Sequence, residues 1–136
     1  MADRLAILDL FSDYAWANDT GDVGLLGELF TADATFQITI AGVDEPFGPY
    51  ESRDAIVEFM GGAWKAQTDQ RRHVIVNHRF ENEQDDRVDV RAYLSLHVTD
   101  GGKLQVTSAG VYRTTVVRDG DRWRLSALDL ALDAPF

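Results

Sequence analysis

"RRHVIVNHRFENEQDDRVDVRAYLSLHV", residues 71–98, decides the fold. It holds two runs rich in β-branched and aromatic residues, joined by "NEQDD", which is turn chemistry. In the second run Val88, Val90, Ala92, Leu94 and Leu96 alternate with Asp89, Arg91, Tyr93, Ser95 and His97. A period of two with one apolar face is the mark of a half-buried strand. In the first run His73, Ile75, Asn77 and Arg79 share one face, and Val74, Val76, His78 and Phe80 the other. Both faces are mixed, as expected where one lines a partly polar cavity and the other is half covered.

Downstream, "KLQVTSAGVYRTTVVR" and "DRWRLSALDLALD" continue the strand pattern, separated by "TDGG" and "DGD". Upstream the period changes. Leu5, Leu8, Phe11 and Ala15, with Ile7, Leu10 and Tyr14 alongside, predict an amphipathic helix that "NDTGD" (18–22) breaks. Asp22 is placed to cap a short second helix, "VGLLGELF", with Val23, Leu26 and Phe30 on one side. "ATFQITI" (34–40) alternates as a strand, and "AGVDEPFGPYES" (41–52) reads as a Gly/Pro-bearing loop. Ser52 caps a third helix, "RDAIVEFMGGAWKAQ", whose Gly61–Gly62 pair should weaken or bend its second half. Helices first and hairpin-connected strands after predict an α+β fold, with helices on one face of an antiparallel sheet and a pocket at the open end.

The chain of 136 residues is expected to form a single domain, residues 1–136. A net charge of −10 sets nucleic acid and anionic membrane aside as partners. No apolar run reaches the roughly 20 residues that span a bilayer, and the first residues lack a secretory pattern, so the expected location is cytoplasmic. With no cysteine there is neither a disulfide framework nor a thiolate site. His73 and His78 are an odd number apart and should face opposite ways, so no metal site and no cofactor are expected. The G-x-S-x-G elbow of a serine hydrolase is absent.

Histidine is the natural general base near neutral pH, and a carboxylate on one ring nitrogen fixes its tautomer. His73, at the start of a long strand, is the candidate base, and Asp19, at the end of the first helix, its possible orienter. Taken singly, each has a plainer explanation: a structural strand histidine, a solvated helix end and, for Tyr14, a core phenol. Clean alternation puts His97 on the outer face unless a bulge reverses it. Arg71 and Arg72 could grip an anion, although two arginines entering a strand usually form a solvated edge.

The order helix, "YAWANDTGD", short helix ending "LFTADATF", capped helix "SRDAIVEFM", then "RRHVIVNHRF" resembles the SnoaL-like branch of the nuclear transport factor 2-like superfamily. The closing "YRTTVVRDGDRWRLSALDLALD" is similar to that family's ending, so the resemblance covers essentially the whole chain. It implies a cone-shaped α+β barrel, a strongly curved antiparallel sheet wrapped around about three N-terminal helices. It also implies an apolar pocket inside the cone and dimers through the outer sheet face. Members include scytalone dehydratase, a bile acid dehydratase, hexachlorocyclohexane dehydrochlorinase and polyketide cyclases. Their shared pair, an aspartate after the first helix and a histidine opening a long strand, matches Asp19 and His73. A tyrosine before the aspartate in the bile acid enzyme matches Tyr14, and a second histidine of scytalone dehydratase matches His97, against the alternation. The arginine that several members carry on the last strand falls near Leu128, where this chain has none.

The reading that follows is a cofactor-independent lyase or isomerase acting on a small, apolar, cyclic molecule. His73, Asp19 and Tyr14 are its catalytic candidates, and Asn77, Trp16, Phe36, Tyr50, Phe59, Trp64 and His97 its candidate pocket walls. The expected assembly is a homodimer or higher homo-oligomer through the outer sheet face. The alternative is a non-catalytic ligand-binding protein, or a module like the small subunit of a ring-hydroxylating dioxygenase.

Overall fold

The computed structural model describes residues 2–135. Helix α1 (Arg4–Thr20) starts at Asp3, whose side chain accepts the Ala6 N–H, and ends at Gly21, which takes the left-handed conformation at φ 72°. Helix α2 (Val23–Glu28) begins under the Asp22 cap and α3 (Arg53–Ala66) under the Ser52 cap, each side-chain oxygen accepting a backbone N–H. The buried face of α1 is Ile7, Leu10, Phe11, Tyr14 and Ala17, at i, i+3, i+4, i+7 spacing. Leu5, counted above with the apolar stripe, is 76% exposed, so the stripe is rotated from the expected one. Helix α3 runs unbroken through Gly61–Gly62. A Cβ on Gly61 would lie 3.1 Å from Val23, so its bareness lets α2 and α3 pack closely.

Six strands form one sheet: β1 (Phe30–Ile40), β2 (Val43–Tyr50), β3 (Gln70–Glu81), β4 (Arg87–Asp100), β5 (Lys103–Asp119) and β6 (Arg122–Leu132), in the order β2-β1-β6-β5-β4-β3. All neighbours are antiparallel except β1 and β6, which run parallel, and the sheet remains open between its edges β2 and β3. The stretch read as a loop is in large part the edge strand β2. Its residues are mostly exposed and include Pro46 and Pro49, so it carries neither alternation nor β propensity. Proline is tolerated there because an edge strand leaves N–H groups unpaired.

From β3 to β6 the sheet has three places where one strand carries an extra residue, between Val76 and Arg79 on β3, between His97 and Leu96 against β5, and between Thr115 and Val116 against β6, and the β1–β2 and β1–β6 pairings shift register as well. Asn77, at φ 59°, marks the first. The bulge inverts the alternation, so that His73 and Ile75 point inward before it, and His78 and Phe80 after it. Asn77 and Arg79 are exposed rather than sharing the inner face with His73, and the two histidines share a face despite their odd spacing. The core lies between α1 and the inner sheet face, with Ile7, Phe11, Phe30, Val88, Val90, Tyr112, Val116 and Leu125 almost fully buried. The Arg53 guanidinium donates twice to the Phe30 carbonyl, at 3.0 and 2.8 Å, tying the start of α3 to the start of β1.

His78 packs edge-on against Phe11 with ring centroids 5.0 Å apart, and its Nε2 is buried without a partner. Desolvation lowers its pKa from 6.5. A depressed histidine favours the folded state when neutral, so its contribution is complete above pH 6.5 and is lost as pH falls below that value. Denaturant titrations should therefore show wild-type stability declining on that acid side more steeply than that of His78→Phe. Parallel profiles for the two proteins would contradict the assignment.

Candidate active site

Three elements bring the site together: the C-terminal turn of α1, the first residues of β3 and the inner face of β5. Asp19 ends α1, where a carboxylate meets the negative pole of the helix and no basic residue of the last turn offsets it. What holds it there is His73. The Asp19 carboxylate accepts the His73 backbone N–H at 3.0 and 3.1 Å and contacts the ring Nδ1 at 2.6 Å. Its side chain is 8% exposed and that of His73 18%. With Nδ1 engaged, Nε2 is the nitrogen left to the cavity that His73 lines.

Tyr14 lies one helical turn before Asn18 and is 3% exposed. Its ring meets those of His73, Phe30 and Tyr112 edge-on. Burial pushes the phenol well above its ordinary pKa; hydrogen bonds from Tyr112 and Asn18 pull the other way, and the nearby Asp19 charge raises it further. Burial also raises Tyr112. At neutral pH both are hydrogen-bond donors, not bases.

The cavity has a volume of about 330 Å³ and an apolar lining, at the small end of ligand pockets. Phe36, Phe59, Trp64, Tyr14 and His73 line it, together with Leu94, Leu96, Leu130 and Leu132 from the sheet. Tyr50 stands behind that wall, stacked on Phe59 at 4.3 Å between centroids. Trp64 lies flat on Gly21, where a Cβ would come within 2.4 Å of the indole, so the glycine is needed for both its backbone and its bareness.

Three expected wall residues lie elsewhere. Trp16 is 65% exposed on the far side of α1, and Asn77 sits in the β3 bulge. His97 is on the outer sheet face beside Ser95, its Nε2 3.1 Å from the hydroxyl, so the alternation and not the family match locates it. Conversely, Tyr112, Ser108, Asn18 and Arg71 line the cavity without having been named among its walls. Tyr112 and Ser108 belong to the inward set of β5, with Gly110 between them. The alternation of Tyr112, Thr114 and Val116 was a usable signal for the first, whereas Ser108 offered none. Among the described residues, no group of three or more histidine and acidic side chains could hold a metal ion. None of the described helices is long and apolar enough to cross a membrane.

A model of the SnoaL-like domain family matches residues 1–129. The chain belongs to the SnoaL-like family. Among solved structures it is similar to a nuclear transport factor 2-like protein with a cystatin-like fold from Novosphingobium aromaticivorans (TM-score 0.82, 23% identity, covering 96% of this chain and 81% of that one). A chain from the same organism, assigned as the β subunit of an aromatic-ring-hydroxylating dioxygenase, is similar at TM-score 0.82 and 20% identity, covering 96% and 89%. LinA is similar at TM-score 0.77 and 24% identity, covering 98% and 88%. At these identities the likeness establishes the fold. The search among curated proteins found no match.

Ser108 is 7% exposed and its hydroxyl has no hydrogen-bond partner. An unpartnered buried hydroxyl costs about 1–3 kcal/mol. Ser108→Ala should therefore raise the thermal midpoint of the ligand-free protein, by roughly 2–5 °C for each kcal/mol of that cost. A lower midpoint would mean that the hydroxyl has a partner in the folded state.

Proposed function

We propose that this SnoaL-like protein is a cofactor-independent lyase or isomerase that removes a proton from carbon in a small, apolar, cyclic substrate. The observation that carries the reading is the 2.6 Å contact between Asp19 and His73 Nδ1 on the wall of an apolar cavity. His73 Nε2 is the base, taking a proton beside a carbonyl or opposite a leaving group. Asp19 keeps the proton on Nδ1, orients the ring through its double hold on His73, and stabilises the imidazolium as it forms. The C-terminal dipole of α1 acts in the same direction. Tyr14, kept protonated by burial, donates to the oxygen or leaving group on which negative charge collects. Apolar walls exclude water and strengthen each of these interactions.

The competing reading is a pocket or subunit module without chemistry. Similarity to a chain assigned as a dioxygenase β subunit and Leu128 in place of a last-strand arginine both favour it. A positioned base facing an open apolar cavity favours chemistry. The outer sheet face, where Tyr93, Leu104 and Val106 are 55%, 67% and 61% exposed, is the surface we assign to a homodimer.

Deuterium uptake tests the base without knowledge of the full substrate. Wild type in D2O should accelerate exchange of the α-protons of a cyclic ketone such as 2-tetralone, followed by mass spectrometry. His73→Ala and Asp19→Asn should slow it by about 10² or more, with unchanged circular dichroism. Tyr14→Phe should cost about 10² as the loss of one donor to the enolate oxygen. Exchange at the wild-type rate in either of the first two variants would remove His73 and Asp19 from the mechanism. No exchange by wild type would favour the module reading.

A further inference from the structure

The chain carries 23 acidic and 13 basic residues, yet among the described residues the cavity lining holds no carboxylate and one guanidinium, Arg71. Arg71 lies two residues before His73 on β3, so both side chains lie on the inner face, roughly 7 Å apart along the strand. It lines the same cavity as His73, with its side chain 30% exposed. Its Nε donates to Asp69 at 2.9 Å, which fixes the guanidinium at the rim. The groove that adjoins the cavity across Trp64 and Gln67 also contains Lys65 and Arg72. That groove also holds two carboxylates, Asp69 and Asp19, whereas the described cavity lining holds none. The Asp19 carboxylate is occupied by His73, and Asp69 engages the Nε of Arg71.

A guanidinium at the rim of an otherwise apolar cavity selects a molecule with two parts, an apolar body and an anionic end. Phosphate esters and carboxylates both fit the charge. A cavity of about 330 Å³ entered past a single arginine favours the singly charged, planar carboxylate, which an arginine edge receives bidentately.

We propose that the substrate is an apolar carboxylic acid whose ring system fills the cavity and whose carboxylate is held at the mouth by Arg71, with Lys65 of the adjoining groove drawing it in. The proposal rests on the reading of the cavity as the substrate site, and it adds the class of molecule and the residue that selects it. Arg71 is a specificity residue: it acts on a remote group, and the proton is taken deeper in by His73. Binding energy at the remote carboxylate places the reacting carbon against Nε2.

Binding measurements separate this from the chemistry. Isothermal titration should compare 2-naphthoate with its neutral near-isostere 2-naphthamide, on wild type, Arg71→Gln, Asp69→Asn and Asp19→Asn. Wild type should prefer the carboxylate by about tenfold, the scale of one charge-assisted contact. Arg71→Gln should bring the two ligands within about twofold of each other by weakening the carboxylate alone. Asp69→Asn, which removes a negative charge and frees the Arg71 Nε, should strengthen the carboxylate a few-fold, and by less when Arg71 is already glutamine. The preference should also shrink between low and high salt. Asp19→Asn should keep the preference while losing proton exchange, so a failed catalytic reading and a failed anion reading give different results. Equal binding of the two ligands, binding of neither, or an unchanged preference in Arg71→Gln would overturn the proposal.

Discussion

One carboxylate holds the site in place. Asp19 accepts both the backbone N–H and the ring Nδ1 of His73, 54 residues further along the chain. This links the end of α1 to the start of β3, the edge strand of the open sheet. The location is locally unfavourable, with negative charge at the negative end of a helix dipole and little solvent to dissipate it. Such a conflict between local preference and observed placement is expected where function imposes it. The hydrogen bonds from His73 compensate, and in doing so they fix the ring. Structural tie and ring orientation are therefore the same interaction.

The surrounding fold keeps that interaction accessible from one side. Phe11 and Tyr14 anchor α1 on the inner sheet face, so its last turn arrives at the cavity with little freedom. Trp64 from α3 covers Gly21 and serves with its indole as a wall of the cavity. Sheet curvature supplies the remaining volume, with Leu94, Leu96, Leu130 and Leu132 as an apolar lining. The polar groups lie toward α1 and the β3 rim, apart from Gln67 at the end of α3 and Tyr112 and Ser108 on β5. A molecule entering this space meets the Arg71 guanidinium and the His73 ring, with hydrocarbon around them.

Sequence patterns made the three helices, the caps at Asp22 and Ser52 and the long strands legible, because each rests on local periodicity or on one side chain reaching a nearby N–H. Strand β2 was not legible: exposed residues and two prolines at a sheet edge leave no pattern to read. The parallel β1–β6 pair was also hidden, since pairing between distant strands is set by tertiary packing. Asn77 and His78 were misplaced for one reason. A single inserted residue on β3 reverses every side chain after it, and its mark is a left-handed asparagine that looks ordinary in sequence. Asp19 and His73 could be paired only through the family layout, because nothing local joins residues so far apart. Ser108 and Arg71 gained meaning only from the cavity they border.

The role of His73 depends on its tautomer, which nitrogen-15 NMR of the imidazole reads directly. At a pH where the ring is neutral, the proton should sit on Nδ1, with a far-downfield hydrogen-bonded signal that Asp19→Asn removes. The bare Nε2 should shift when an aromatic ligand fills the cavity. A proton resident on Nε2, or an Nε2 signal unmoved by any cavity ligand, would contradict the role assigned to His73 and to the carboxylate that holds it.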